Sequence, residues 1–185
     1  FAPLNHAHDL GMNVVVLDHH LSDDTLPKAA AVINPNRRDR STPDDNTKRT
    51  HPGFEDSAPI FLKDLCAAGV TFLFLVALHK KLREKSFFKD IPEPNLMMFL
   101  DLVALGTVCD VMPLTHLNRV FVAHGLRLLN HTPNKGIKAL CDHGGCRPPL
   151  SSYHLGFVIG PRVNAGGRVG DAWMGSHLLT SHDQP

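Results

Sequence analysis

Met12-Asn-Val-Val-Val-Leu-Asp-His-His-Leu21 is the stretch on which the fold of this chain turns. Val14, Val15, Val16 and Leu17 form an unbroken apolar run, which reads as a short strand buried on both faces, as in a parallel sheet. Asp18, His19 and His20 follow at once, and such polar side chains do not continue a buried strand without partners. In open α/β sheets ligands bind outside the carboxyl ends of the strands, where this triplet falls. A carboxylate beside two imidazoles there suits a divalent metal or a phosphate. A solvated strand-end loop would carry the same three residues, so the triplet alone does not decide between the two.

On the upstream side, Phe1 to Leu10 reads as the end of a helix closed by Gly11 as its C-terminal cap. Downstream, Ser22 to Lys28 is a polar turn, and Ala29 to Ile33 is a second short apolar run. The turn Asn34-Pro35-Asn36 ends it, a strand-then-turn pattern. Arg37 to Pro59 has almost no apolar residue before Phe54 and reads as a solvated loop, because it has little to bury against its ordering entropy. Arg37, Arg38, Arg40, Lys48 and Arg49 could alternatively meet a nucleic-acid backbone.

The bulk properties set limits on the function. The 185 residues suffice for one domain with a good core. Lys+Arg 19 against Asp+Glu 18 gives no charge bias, so composition argues neither for nor against nucleic acid. Cys66, Cys109, Cys141 and Cys146 form no dense framework and read as the reduced thiols of a cytoplasmic protein. Cys141, His143 and Cys146 lack a second close-spaced pair and fall short of a structural zinc pattern. No apolar run has membrane-spanning length, and no signal peptide with a cleavage site is present.

Leu65 to Arg83 is the strongest helical segment. It is apolar around nearly its whole circumference through Leu78, with cations at its C-terminal end, as for a core helix against a sheet. Asn95 to Leu105 is another apolar helix, and it runs into Gly106-Thr-Val-Cys-Asp110. Asp110 in that apolar company is either a cap on a helix end or a metal ligand. Asn118 to Leu129 and Gly136 to Asp142 read as two short helices joined at Thr132-Pro133-Asn134. Gly144 to Pro149 is a linker. In Gly156 to Asp171, GFVIGPRVNAGGRVGD, the glycines allow a ligand to approach and Arg162, Asn164 and Arg168 offer donors to phosphate. An irregular turn with two surface arginines fits that pattern equally. The stretch is neither a Walker A loop nor a dinucleotide fingerprint. Trp173 to Thr180 begins a final helix.

Three separated signals coincide: Asp18-His19-His20, Gly106-Thr-Val-Cys-Asp110 and Gly160-Pro-Arg-Val-Asn-Ala-Gly-Gly-Arg168. Together they resemble the DHH phosphoesterase superfamily. The stretches GTVCDVMPL, GPRVNAGGR, LCAAGVTFLFLVAL and NPNR are similar, within it, to the RecJ-type exonucleases. The resemblance covers nearly all of the chain except Arg40 to Lys63, which looks like an insertion.

The resemblance implies hydrolysis of phosphodiester bonds at the 5′ end of single-stranded DNA in repair and recombination, with Mn²⁺ or Mg²⁺ at a two-metal site. Two divalent ions about 4 Å apart activate a water, orient the phosphate and stabilise the leaving oxygen. Carried over to this sequence, His19 and Asp110 would be ligands of one ion and His20 would face the scissile phosphate. Asp18 would orient an imidazole or touch the metal. Arg162, Asn164 and Arg168 would contact DNA phosphates or brace an interdomain face. RecJ proteins also place a D-x-D motif and a further Asp upstream of this strand, and neither occurs here, so the expectation is a fragment carrying half of the metal site and inactive alone. The fold expected is α/β: an incomplete three-layer DHH-type domain on a short parallel sheet, with a mainly helical C-terminal half. Residues 1–145 would form the partial DHH domain, and 146–185 a helical connector toward a second nucleic-acid-binding domain.

Overall fold

The computed structural model describes residues 1–37, 60–131, 134–171 and 173–181. The expected loop from Arg37 to Pro59, with its candidate contacts Arg38, Arg40, Lys48 and Arg49, therefore lies almost wholly outside the described residues, as does most of the expected insertion.

Helix α1 (Ala2–Asp9) ends as its sequence requires. Gly11, at φ +76°, takes the left-handed conformation that costs a glycine little. Its N–H donates to the His8 carbonyl at 2.9 Å and that of Met12 to Ala7 at 3.0 Å, a Schellman closure. The chain turns there into β1 (Val15–Leu17), which pairs in parallel with β2 (Ala31–Ile33) in the register Val15 to Ala31, Val16 to Val32 and Leu17 to Ile33. Segment 18–30 is long enough for the crossover that parallel neighbours require. The small parallel sheet and the helical remainder match the expected α/β class. The strand is not buried on both faces as its composition suggested, since Val15 is exposed and Val16 and Leu17 are only half-buried. Branched apolar residues record a preference for pleated backbone, and what covers each face depends on elements elsewhere.

Among the described residues, the regular elements after the sheet are helical: α2 (Ile60–Lys63), α3 (Ala67–Glu84), a 3-10 turn (Leu96–Phe99), α4 (Leu100–Cys109), α5 (His116–His131), α6 (Lys135–His143), a π-helical turn (His154–Ile159), α7 (Gly160–Val169) and α8 (Met174–Thr180). Helix α4 is apolar on every side because it stands between two clusters. Its Leu100 and Val103 join Leu65, Val70, Phe72 and Phe121, and its Ala104 and Leu105 join Val122, Leu129, Ile137, Leu155 and Ile159. Ile137, Leu155 and Ile159 are sealed from solvent, each contributing roughly 1.5–3 kcal/mol by burial. The second cluster runs without a break across residues 145 and 146, from Cys141 to Leu150 and Leu155.

Helix α3 departs from the core helix its composition suggested. Gly69, Val70 and Phe72 are buried, but Val76 and Leu78 are exposed, so only its first half packs inward. Among the described residues no helix is long and apolar enough to cross a membrane.

The larger difference concerns Gly156 to Asp171. The glycine-rich stretch is no turn or cradle: it is helix through Val169, with Pro161 in the first turn of α7, where a missing N–H costs nothing. Two of its glycines stand in close contact with neighbouring elements. A Cβ on Gly160 would fall 2.3 Å from the Cys109 Sγ, and one on Gly166 would lie 3.2 Å from the Met174 Cβ.

Candidate metal centre

Asp18 stands at the carboxyl end of β1, where its own N–H still donates to the Ile33 carbonyl at 3.1 Å. Three donors converge on its Oδ1: the His19 N–H at 2.7 Å, the His20 N–H at 3.3 Å and the His20 Nδ1 at 2.8 Å. Partial burial pushes this carboxyl up, but the hydrogen bonds from the His20 ring and from the two backbone N–H groups outweigh it and hold it below its ordinary value. Asp18 thus folds the loop back on itself and fixes the His20 imidazole through its Nδ1. The His20 side chain is otherwise open to solvent, and its ring lies 4.3 Å from that of His19.

His19 points the other way. Its side chain is only 12% exposed, and its Nε2 lies 2.7 Å from Asp110 Oδ2. Its Nδ1 is 3.8 Å from Asp18 Oδ1, too far for a hydrogen bond, and is buried without a partner among the described residues. Asp18, His19 and His20 each present one ligand atom within 4.8 Å of the others, and Asp110 meets the His19 ring at its Nε2.

Asp110 is where helix α4 ends. Its N–H donates to Gly106 O at 3.0 Å, and a Schellman closure follows, with Val111 N–H to Val108 O and Met112 N–H to Thr107 O, both at 3.1 Å. Asp110 caps the helix through its backbone, and its side chain reaches His19 instead. A carboxylate at the negative end of a helix dipole is disfavoured by about 0.3–1 kcal/mol, so local helix chemistry does not account for it. The left-handed position after it is held by Val111 at φ +55°, where a glycine is usual.

The C-terminal candidates divide. Asn164 and Arg168, one helical turn apart on α7, line an open cleft of about 280 Å³ with Cys109, Gly160, Pro161 and Ala165. Cys109 is the last residue of α4, so this cleft lies against the end of that helix. Arg162 is not in it: its Nη1 donates to the Val158 carbonyl at 2.7 Å. A larger apolar cavity of about 430 Å³ lies between β2 and α3. Its Asn34 is committed to the His20 carbonyl and its Arg37 to that of Val32, so it is packing space rather than a reaction site.

Two residues that read as turn formers hold the loop from behind. Asn34 Nδ2 donates to His20 O at 2.8 Å, and Asn36 Nδ2 donates to His19 O at 2.7 Å. The turn itself is an Asx turn, closed by Asn36 N–H on Asn34 Oδ1 at 2.7 Å. The signal was present in the pair of asparagines straddling a proline, but nothing in the sequence says which carbonyls they meet.

Comparison with known proteins places the chain as a whole. A family model described as DHH family, N-terminal domain, matches residues 1–107. The chain is 43% identical over 182 residues to the single-stranded-DNA-specific exonuclease RecJ of Salmonella typhimurium, covering 96% of this chain and 28% of that protein. It superposes with a TM-score of 0.69 and 31% identity on RecJ from Thermus thermophilus in complex with Mn²⁺, covering 98% of this chain and 23% of that one. A second structure, exonuclease RecJ bound to manganese, gives 0.64 and 29%, over 96% of this chain and 37% of that one. The chain therefore spans less than a third of the length of the curated relatives it matches. With the aspartate and paired histidines standing at the end of β1 and the family model running from the first residue into α4, the chain belongs to the DHH family.

Proposed function

We propose that this chain carries part of the catalytic centre of a metal-dependent exonuclease that hydrolyses phosphodiester bonds of single-stranded DNA from the 5′ end, in cytoplasmic DNA repair and recombination. The observation that carries the reading is the approach of His19 Nε2 to Asp110 Oδ2. Adjacent ligands of an octahedral Mn²⁺ or Mg²⁺ stand about 3 Å apart, so these two atoms suit one shared ion. The donor set of carboxylate oxygens and imidazole nitrogens fits Mn²⁺ in kind. The relatives' structures hold Mn²⁺ or Mg²⁺.

When bound, the metal supplies charge to the phosphate oxygens and lowers the pKa of a water. The chain's own residues do the rest. His19 and Asp110 hold the ion, and Asp18 keeps the His20 ring in one orientation, as carboxylates do for imidazoles in metal sites. His20, exposed and held by its Nδ1, faces the phosphate. Asn164 and Arg168 bind a neighbouring phosphate in the cleft beside Cys109, and Arg162 lends positive charge to the same helix. These side chains serve one ion, and a two-ion site needs further carboxylates, so the chain alone is expected to bind Mn²⁺ weakly and to release little or no nucleotide.

The test uses 5′-phosphorylated single-stranded DNA, with pyrophosphate and a dinucleotide as competing substrates. In a chain extended to the length of its relatives, mononucleotides are expected from the 5′ end, falling at least a hundredfold with Asp110→Asn. Preference for pyrophosphate or the dinucleotide would assign a different phosphoester. Robust release by the 185-residue chain itself would show that the centre is not partial.

A further inference from the structure

We infer that Asn36 and Asn118 form a clamp that sets the separation of His19 and Asp110 before any metal binds, which makes both asparagines positioning residues for the centre. The inference rests on the metal-site reading above and adds residues that touch neither ion nor substrate.

The clamp can be followed atom by atom. Asn36 Nδ2 donates to His19 O at 2.7 Å and to Lys63 O at 3.1 Å. Asn118 Nδ2 donates to Asp64 O at 2.8 Å and to Pro113 O at 2.9 Å. Lys63 and Asp64 are consecutive, so two neighbouring peptide carbonyls at the end of α2 are held, one by each amide. One amide leads from there to the backbone of His19, and the other leads to the segment just past Asp110. The two halves of the centre, far apart in sequence, are thus tied to a common point by four hydrogen bonds.

The chemistry explains why asparagine stands at both places. All four partners are carbonyl oxygens, so each site needs a group with two N–H donors on a short stem. Aspartate would set a carboxylate against two carbonyls, and alanine would leave all of them unmet. The last carbonyls of a short helix have no partners within it, and the amides satisfy them. Asn118 is 2% exposed, so its bonds form away from competing water. Its Oδ1 is buried without a partner among the described residues, a cost accepted at a position where only the NH2 end is used.

The test compares wild type, Asn36→Ala, Asn118→Ala, the double variant and Asp110→Asn. Mn²⁺ binding is followed by the electron paramagnetic resonance of the free ion, and the imidazole nitrogens of His19 are followed by NMR without metal. Asn36→Ala is expected to weaken Mn²⁺ binding tenfold or more and to average the His19 ring signals in the metal-free chain while the helical spectrum persists. The double variant is expected to lose no more than the worse single one, because either break opens the same connection. Wild-type binding no tighter than that of Asp110→Asn would sink the metal-site reading, and the metal-free His19 spectrum would still judge the clamp. Asn36→Ala with wild-type Mn²⁺ affinity and an unchanged His19 spectrum overturns the clamp alone. Should the buried Asn118→Ala fail to fold, the Asn36 variant decides by itself.

Discussion

Gly160 lies so close to Cys109 that a Cβ on the glycine would stand 2.3 Å from the Sγ and 2.9 Å from the Leu155 carbonyl. Cys109 is fixed in turn, its thiol reaching the Leu155 carbonyl at 3.6 Å, with burial first and then the neighbouring Asp110 and Cys66 charges pushing its pKa up. The start of α7 is therefore pressed against the end of α4, one residue short of Asp110. Gly160→Ala must move one helix or the other. Overpacking of this kind is expected to cost about 1–3 kcal/mol in chemical unfolding. Because Asp110 follows Cys109 directly at this contact, Mn²⁺ affinity should fall with it. An alanine variant with wild-type stability would mean the helices slide apart freely here.

Val111 gives a prediction of opposite sign. Its φ of +55° is costly for a β-branched residue, about 1–3 kcal/mol, and its side chain is 86% exposed, so little packing compensates. Val111→Gly removes the strain and supplies the residue a Schellman closure prefers, at the cost of a freer unfolded chain. The net expectation is a gain of roughly 1 kcal/mol in the unfolding free energy. A less stable glycine variant would show that the valine holds a contact beyond those seen here.

What could be read from the residues followed how local the cause was. Gly11 as a helix end, the strand within Ala29 to Ile33 and the helices at Leu65 to Arg83, Asn118 to Leu129 and Gly136 to Asp142 all depend on neighbours in sequence, and they were legible. The meeting of His19 with Asp110 is not local, and only a resemblance brought the two motifs together. Gly160, Gly166 and Gly167 show the opposite hazard. Three glycines in eight positions read as room for a ligand to approach, yet Gly160 stands where a Cβ would meet the Cys109 Sγ at 2.3 Å, and Gly166 packs closely on Met174. Exposure of Val15 and Val76 was illegible for a similar reason, since an apolar residue does not record what covers it. Asn36 read as part of a turn and Asn118 as the start of a helix, because carbonyls they serve, such as those of Lys63 and Asp64, are distant along the chain.

Asp101 makes stability depend on pH in a direction uncommon for a carboxylate. It sits in the first turn of α4, is 5% exposed, and its Oδ1 accepts the Leu102 N–H at 2.6 Å. Burial raises its pKa above the ordinary 3.8, and the backbone N–H groups of Leu102 and Asn134 only partly offset that. The folded chain then holds this proton at a pH where the unfolded chain has lost it. Below 3.8 the group is protonated in both states, and its contribution to stability is whole; as pH rises through the elevated folded value, that contribution is lost. Asp101→Asn carries no such proton. The difference in unfolding free energy between wild type and Asp101→Asn should therefore move against the wild type as pH climbs from about 4 and level off above the raised pKa, when measured by denaturant titration at several pH values. The comparison is insensitive to any constant cost of the amide, since only the slope is read. A difference that stays flat through this range would mean that Asp101 ionises in the folded chain as readily as in water.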